Sequence, residues 1–149
     1  YFKKKFLSEG IEGVSYVACP LKTLDEIKAI IENPRLRGFN VTVPYKKKII
    51  GLLDSLDEEA QQVQAVNTVK ITRNANGKVQ RMIGFNTDVY GFEKSISQLL
   101  KPHHDKALVL GTGGGAQAVC HVLKSLQERV YCFDVWHCRH GGWRERRAK

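Results

Sequence analysis

The chain has 149 residues, 42% of them hydrophobic and 26% charged, which is the composition of a globular protein with room for one ordinary domain or parts of two smaller ones. No stretch approaches the roughly eighteen consecutive apolar residues that a membrane span needs and no signal peptide opens the chain, so we expect a cytoplasmic protein without a membrane partner. The formal net charge of +9 is concentrated towards the last eleven residues, and without helix-turn-helix, RNP or zinc-finger signatures it predicts no specific nucleic-acid partner.

The first third of the chain alternates between helical and extended patterns. Residues 1–9 have the apolar spacing of a short helix, and residues 14–19 are typical of a strand. A capping box opens a second predicted helix over residues 23–33, and a β-branched strand follows over residues 40–43. This order of strand, helix and strand favours a parallel sheet with a right-handed crossover, and a helical run over residues 45–53 comes next.

Three different polar groups stand at the end of the predicted strand over residues 40–43. Asn40 supplies an amide, Thr42 a hydroxyl and Lys46 an ammonium. A strand end holds side chains in a fixed arrangement, so this corner predicts a binding site for a polyhydroxylated, anionic small molecule. The alternative is that Pro44 only ends an edge strand and that Lys46 begins an ordinary solvated helix.

The middle of the chain has the patterns of a helix, a β-hairpin and a second helix. Residues 54–64 are polar and helix-forming, with acidic residues near their start, where the helix dipole favours them. Residues 67–73 and 79–84 alternate as strands on either side of an Asn-Gly turn signal. Residues 86–100 have the apolar spacing of a helix, which we interpret as the connection between two domains.

A glycine-rich turn follows the apolar run of residues 106–110, which is typical of a buried strand. The turn fits the pattern Gly-x-Gly-x-x-Gly/Ala and opens a helix through Leu126, the context that a dinucleotide-binding site requires. Glycine lets a pyrophosphate approach the backbone, whose amides at the helix start then bind it, and the alternative is a tight turn without a ligand. The turn consists of Gly111, Thr112, Gly113, Gly114, Gly115 and Ala116.

An acidic residue ends the next predicted strand, over residues 129–134. Asp134 stands where an acid usually accepts a hydrogen bond from the ribose 2′-hydroxyl, which favours NAD over NADP. Residues 136–149 have no periodicity and a basic excess, so we expect them to be unstructured or to have left the natural reading frame.

Four cysteines lie in the chain without a CxxC pair, which predicts reduced thiols in a reducing compartment. Two of them and two histidines fall close together near the C-terminus, but their spacing does not match a structural zinc site, so we expect no metal. The cluster consists of Cys132, His137, Cys138 and His140, and the other two cysteines are Cys19 and Cys120.

Three sequence blocks and the glycine-rich turn, taken in order, resemble the shikimate dehydrogenase family. The blocks are Gly-Phe-Asn-Val-Thr-Val-Pro-Tyr-Lys from Gly38, Ala-Val-Asn-Thr from Ala65 and Gly-Phe-Asn-Thr-Asp-Val-Tyr-Gly from Gly84. The resemblance runs from about Gly38 to about Val119. It implies an α/β protein with a mostly parallel-sheet N-terminal substrate domain, followed by the start of a Rossmann-type dinucleotide-binding domain.

The resemblance also implies a division of the chain into parts. The parts are a substrate-binding and catalytic domain (1–87), a connecting helix and linker (88–104), the first half of an NADP-binding Rossmann domain (105–134) and a divergent basic tail (135–149). The Ser-x-Ser site that the family uses for the substrate carboxylate would precede Tyr1, and half of the nucleotide sheet would follow the tail. We therefore expect the chain to be a fragment truncated at both ends.

By resemblance, the activity is the reversible reduction of 3-dehydroshikimate to shikimate with NADPH, a step of aromatic amino acid biosynthesis through chorismate. This implies an oxidoreductase with a small-molecule substrate, acting as a monomer or homodimer. Hydride arriving at a carbonyl carbon makes an alkoxide, which a nearby ammonium stabilises and protonates. The implied site residues are Lys46 and Asp88 as the acid/base pair; Asn40, Thr42, Asn67 and Asp88 at the substrate; and Glu58, Gly111, Thr112, Gly113, Gly114 and Gly115 at the cofactor.

One departure from the family leaves the cofactor open between NADP and NAD. The family usually carries Asn-Arg-Thr where this chain has Asp134-Val135-Trp136, and the arginine of that motif receives the 2′-phosphate of NADP. The first alternative is therefore a quinate or quinate/shikimate dehydrogenase that uses NAD. The second is a truncated fragment without activity, which is what we expect of these residues by themselves.

Overall fold

Two β-sheets form the framework of the chain in its computed structural model, which describes residues 1–126, 129–133 and 145–147. The helices are α1 (Phe2–Ser8), α2 (Ile27–Ile31), α3 (Glu58–Val63), α4 (Thr87–Ile96) and α5 (Gly114–Ser125), with 3-10 helices at Leu24–Glu26 and Lys48–Leu52. The strands are β1 (Gly38–Asn40), β2 (Ser55–Leu56), β3 (Thr68–Arg73), β4 (Val79–Phe85), β5 (Lys106–Leu110), β6 (Arg129–Phe133) and β7 (Glu145–Arg147). The expected α/β class is confirmed, and within these ranges no helix is both long and apolar enough to span a membrane.

The first sheet has four strands in the order β1-β3-β4-β2. β3 pairs antiparallel with β1 and with β4, whereas β2 pairs parallel with β4, so this sheet is mixed rather than mostly parallel. The tight turn between Asn74 and Lys78, with Gly77 at φ 76°, explains the difference, because a short hairpin joins only antiparallel strands. Residues 14–19, expected as a strand, belong to no helix or strand, so the predicted strand, helix and strand unit is absent there.

The corner after β1 is less regular than its sequence predicts. β1 ends at Asn40 instead of continuing to residue 43, although the Val41 amide still donates to the Asn67 carbonyl oxygen over 2.8 Å. A cis peptide bond precedes Pro44, and only Lys48–Leu52 winds, as a 3-10 helix, within the expected helical run. The segment between strand and helix is therefore a loop that pairs with the start of β3.

The second sheet has the order β5-β6-β7. β5 and β6 are parallel and α5 connects them, as expected for a strand, glycine-rich turn and helix. β7 pairs antiparallel with β6, so the expectation of an unstructured tail is wrong for Glu145–Arg147. Residues 134–144 and 148–149 lie outside the described residues. The predictions for Asp134 and for a shift of reading frame after it fall on these residues.

Two buried apolar clusters hold these elements together. Fully burying one Val- or Leu-sized side chain contributes about 1.5–3 kcal/mol, so clusters of this size can fix the positions of whole helices. The first packs against the first sheet and contains Ile49, Ala60, Val66 and Val69. The second joins α3, α4 and α5 and contains Val63, Ala65, Val89, Ala118 and Val122. Because of the second cluster, the start of α5 lies against the end of the first sheet.

Candidate active site

Lys46 and Asp88 meet where the loop after β1 faces the first turn of α4. The ammonium Nζ of Lys46 lies 2.6 Å from Oδ2 of Asp88, and the two side chains are 16% and 36% exposed. The Val66 amide donates to the Lys46 carbonyl oxygen over 2.8 Å, which fixes the loop that carries the lysine. The pair is thus held in one geometry by a charge-assisted hydrogen bond and remains open to a small molecule on one side.

Asn67 connects this pair to the end of the first sheet. Its Nδ2 donates to Oδ1 of Asp88 over 2.8 Å and to Oγ1 of Thr87 over 2.9 Å, while its Oδ1 accepts from the Thr87 amide over 3.0 Å. Asn67 is buried, so these bonds satisfy polar atoms that would otherwise be costly to remove from water. Both amide hydrogens of Asn67 are engaged, and Asn67 orients Asp88.

Asn86 explains why α4 begins where it does. Its Oδ1 accepts from the Asp88 amide over 3.0 Å, which caps the helix, and its Nδ2 donates to the Ala65 carbonyl oxygen over 2.8 Å. The side chain is fully buried. Asp88 therefore stands in the first turn of a helix whose start is tied to the segment that carries Asn67.

Asn40 and Thr42 lie on the same corner and differ in their hydrogen bonding. The Asn40 amide donates to Oγ1 of Thr68 over 3.1 Å and accepts from the Tyr16 hydroxyl over 3.2 Å. Thr42 is exposed, and among the described residues no hydrogen bond uses its hydroxyl. Thr42 is therefore the polar group of this corner that is free to bind a ligand.

The glycine-rich turn lies next to this corner. Gly111 has φ 130°, a conformation that side chains rarely adopt, and Gly113 is the N-cap of α5. A Cβ atom at Gly113 or at Gly115 would meet nothing within 4 Å, whereas one at Gly114 would lie 2.9 Å from Cβ of Lys46. An open backbone whose helix-start amides have no partner in the described part of the chain fits a pyrophosphate, and Gly114 faces the protein instead.

The two remaining cofactor predictions have no geometric support in the described residues. Glu58 is exposed at the start of α3, and its carboxylate accepts a hydrogen bond from Gln62 of the same helix over 3.2 Å. In the described part of the chain nothing links it to the glycine-rich turn, so its role stays a prediction. Asp134, expected at the ribose, lies outside the described residues.

Sequence reasoning missed two residues of the polar network. Thr87 binds Asn67 through its amide and its hydroxyl, and it lies within the Asn-Thr-Asp block, so the block itself was the signal. Tyr16 stacks on Phe2 with ring centroids 4.2 Å apart and donates to Asn40. No local pattern marks Tyr16, because its contact spans 24 residues of sequence.

The three cysteines that the structure describes take no part in this site. Cys19, Cys120 and Cys132 are free, and the Sγ atoms of Cys120 and Cys132 lie 2.7 Å apart. Burial, followed by the hydrogen bond with Cys132, raises the pKa of the Cys120 thiol to about 12. Among the described residues no three metal-ligating side chains cluster, and the other members of the C-terminal group, His137, Cys138 and His140, lie outside them.

Comparison with known proteins places this arrangement among related sequences. Residues 1–69 match the family described as the shikimate dehydrogenase substrate binding domain. A relative named shikimate dehydrogenase (NADP(+)) from Aquifex aeolicus (strain VF5) is 40% identical over 114 residues, which are 76% of this chain and 39% of the relative. One of the same name from Staphylococcus haemolyticus (strain JCSC1435) is 38% identical over 109 residues, 72% of this chain and 38% of the relative. The chain thus spans less than half the length of these relatives.

Solved structures agree in fold. The crystal structure of shikimate dehydrogenase from Aquifex aeolicus has a TM-score of 0.74 at 32% identity, covering 90% of this chain and 49% of that chain. Shikimate 5-dehydrogenase from Thermus thermophilus, in complex with NADP(H) and shikimate, has a TM-score of 0.67 at 34% identity, covering 87% and 48%. Both likenesses extend across the two sheets rather than the first alone.

Proposed function

We propose that this chain, which belongs to the shikimate dehydrogenase family, forms the acid/base corner and the start of the cofactor site of an NADP-dependent shikimate dehydrogenase. The reaction is the reversible reduction of the ring ketone of 3-dehydroshikimate to the hydroxyl of shikimate, a cytoplasmic step of aromatic amino acid biosynthesis. The names of the relatives, and the Thermus structure with NADP(H) and shikimate, support this substrate and this cofactor.

The observation that carries the proposal is the hydrogen-bonded chain from Lys46 through Asp88 to Asn67. The 2.6 Å contact between Lys46 and Asp88 joins two segments 42 residues apart in sequence, and Asn67 holds the other carboxylate oxygen. A surface lysine in a solvated run would not be tied in this way, and Lys48, two residues on, is exposed and has no polar side-chain partner among the described residues. The geometry therefore favours a positioned acid/base group over the solvated-helix alternative.

In the reduction, Lys46 stabilises the alkoxide that forms at the substrate carbonyl and donates a proton to it. In the oxidation, the same group accepts the proton of the shikimate hydroxyl. Asp88 keeps the ammonium directed at this point, and Asn67 keeps Asp88 from rotating away. Bound NADPH supplies the hydride, and no metal ion is needed for these steps.

Substrate hydroxyls bind along the wall that starts at Thr42. Thr42 is exposed on the loop that carries Lys46, and Asn40 lies at the end of β1, where that loop begins. Asn67 is fully hydrogen-bonded within the protein, so it shapes this wall without offering the substrate a free polar atom. Oδ1 of Asn40 accepts only from the Tyr16 hydroxyl among the described residues and keeps a lone pair for the substrate. The carboxylate of Asp88 is a further hydrogen-bond acceptor for the substrate hydroxyls on this wall.

The pyrophosphate of the cofactor binds at the turn from Gly111 to Gly115. The open space above Gly113 and Gly115 lets phosphate oxygens reach the first amides of α5, where the helix dipole favours negative charge. Gly111 supplies the positive φ that the turn requires. Asp134 keeps NAD open as a second cofactor, and with it quinate as a second substrate.

Binding and turnover test the proposal separately. Titration of the 149-residue chain with shikimate should shift the backbone amide signals of Thr42, Lys46 and Asp88 in nuclear magnetic resonance spectra. The complete natural gene product should oxidise shikimate with NADP⁺ faster than it oxidises quinate with NAD⁺. Shifts with quinate but not with shikimate would replace the proposed substrate, and no shift with either would remove this corner as a substrate site.

A further inference from the structure

Lys47 joins the loop that carries Lys46 to the glycine-rich turn. Its Nζ donates to the Thr112 carbonyl oxygen over 3.2 Å, across 65 residues of sequence. The Gln117 amide, oriented so that its nitrogen donates to the Val63 carbonyl oxygen over 3.0 Å, accepts from the same ammonium over 3.1 Å. Two of the three hydrogens of the Lys47 ammonium are thus committed to the start of α5.

The loop that carries Lys46 and the start of α5 also meet at Gly114. A Cβ atom at Gly114 would lie 2.9 Å from Cβ of Lys46 and 3.2 Å from Cβ of Ala65, which is closer than ordinary contact. Gly114 is buried, so the first turn of α5 rests directly on the side chains of the acid/base lysine and of Ala65. The Lys47 contact therefore closes an interface that is already tight.

The peptide geometry gives the Lys47 contact a specific consequence. A trans peptide unit is planar, and its carbonyl oxygen and amide hydrogen point in opposite directions. Because Lys47 holds the Thr112 carbonyl oxygen, the Gly113 amide hydrogen must point away from Lys47, and the space around the Cα atom of Gly113 is open. Gly113 is the N-cap of α5, where an amide directed outwards is available to an anion.

We propose that Lys47 is a positioning residue, which fixes the Thr112–Gly113 peptide so that the turn presents its amide to the cofactor pyrophosphate at a set distance from Lys46. The role of the pyrophosphate rests on the proposed function. The three consecutive lysines therefore differ in their partners. Lys46 binds Asp88, Lys47 binds the turn, and Lys48 is exposed without a polar side-chain partner among the described residues. Lys48→Met is therefore a matched control for Lys47→Met.

The first test needs no ligand. In the 149-residue chain, the amide ¹⁵N order parameters of Gly113 and Gly114 should be about 0.85, both without substitution and in Lys48→Met. They should fall to about 0.6 in Lys47→Met. Lys47→Arg, which keeps donors and charge, should retain most of the order. Equal order parameters in Lys47→Met and Lys48→Met overturn the inference.

The second test uses NADP⁺ and separates orientation from simple charge. Lys47→Met should raise the dissociation constant of NADP⁺ about tenfold and leave kcat at saturating cofactor within about twofold, as expected for one lost charge-assisted hydrogen bond. If Lys48→Met weakens binding equally, charge alone is at work and the inference fails. If neither the unsubstituted 149-residue chain nor the complete gene product binds NADP⁺, the proposed function fails. If Lys47→Met binds NADP⁺ with unchanged affinity, only the inference about Lys47 is overturned.

Discussion

Asp88 divides its two carboxylate oxygens between two partners of different character. Oδ2 receives the ammonium of Lys46, and Oδ1 receives the amide of Asn67. Because both amide hydrogens of Asn67 are used within the protein, Asn67 acts mainly on the orientation of Asp88. Thr42 has no such bond among the described residues, which is why we propose that its hydroxyl binds the substrate.

Substitutions of Thr42 and of Asn67 should therefore affect different kinetic constants. Thr42→Val should raise the KM for shikimate about fivefold with kcat unchanged, since one hydrogen bond of about 1 kcal/mol is lost in ground and transition states alike. Asn67→Ala should lower kcat as well, because Asp88 loses its support. Steady-state kinetics of the complete gene product give both constants, with Thr72→Val on β3 as the control. A Thr42→Val enzyme with unchanged KM would place the substrate elsewhere.

The thiols offer a test of burial that does not involve the active site. With its pKa raised to about 12, Cys120 carries far less thiolate at pH 8 than an ordinary cysteine, and thiolate is the reactive form. Iodoacetamide at pH 8 should modify the exposed Cys19 well before Cys120 in the folded chain. Peptide masses after timed quenching measure both rates, and chain unfolded in urea should show equal reaction. Equal rates in the folded chain would contradict the burial of Cys120.

At the scale of elements, the first turn of α5 serves two surfaces with neighbouring glycines. Gly114 packs on Lys46 and Ala65, whereas Gly115 faces open space. The dinucleotide motif alone would assign both glycines to the cofactor. The structure gives Gly114 a packing requirement, because a side chain there would push the helix away from the corner.

Alanine at these two positions should act in opposite directions on stability. Gly114→Ala should lower the free energy of unfolding by about 1–3 kcal/mol, the usual cost of overpacking. Gly115→Ala should be neutral or raise it by up to about 1 kcal/mol, because alanine favours a helix more than glycine does. Urea denaturation with equal m values measures the difference. Equal stability of the two variants would show that α5 does not rest on the corner.

The features that could be predicted from the sequence are those whose signals are local. The strand, glycine-rich turn and α5 were placed correctly because apolar run, turn and helix lie side by side in sequence. The β3–β4 hairpin was also predicted from its local turn signal, but the mostly parallel character of the first sheet was wrong, since β1 pairs antiparallel with β3 and a pairing across that distance leaves no local pattern. The partner of Lys47 was hidden for the same reason, because Thr112 lies 65 residues further along the chain. The pairing of Lys46 with Asp88, 42 residues apart, was expected only because the motifs resemble a known family.

At the scale of the whole molecule, the first sheet supplies the acid/base corner and the second supplies the turn that faces it. The cluster around Ala65 and Ala118, the Gly114 contact and the Lys47 bonds all fix one relation between the two sheets. The central claim is that Lys46 at this junction transfers the proton of the reaction.

Replacement of Lys46 tests that claim most directly. Steady-state kinetics of shikimate oxidation with NADP⁺ are measured for the complete gene product, for Lys46→Met and for the matched control Lys48→Met. Lys46→Met should lower kcat by about 10²–10⁴ with little change in KM, the range expected for loss of a positioned acid/base group, and Lys48→Met should retain the natural rate. A kcat that is the same in Lys46→Met and Lys48→Met would contradict the account.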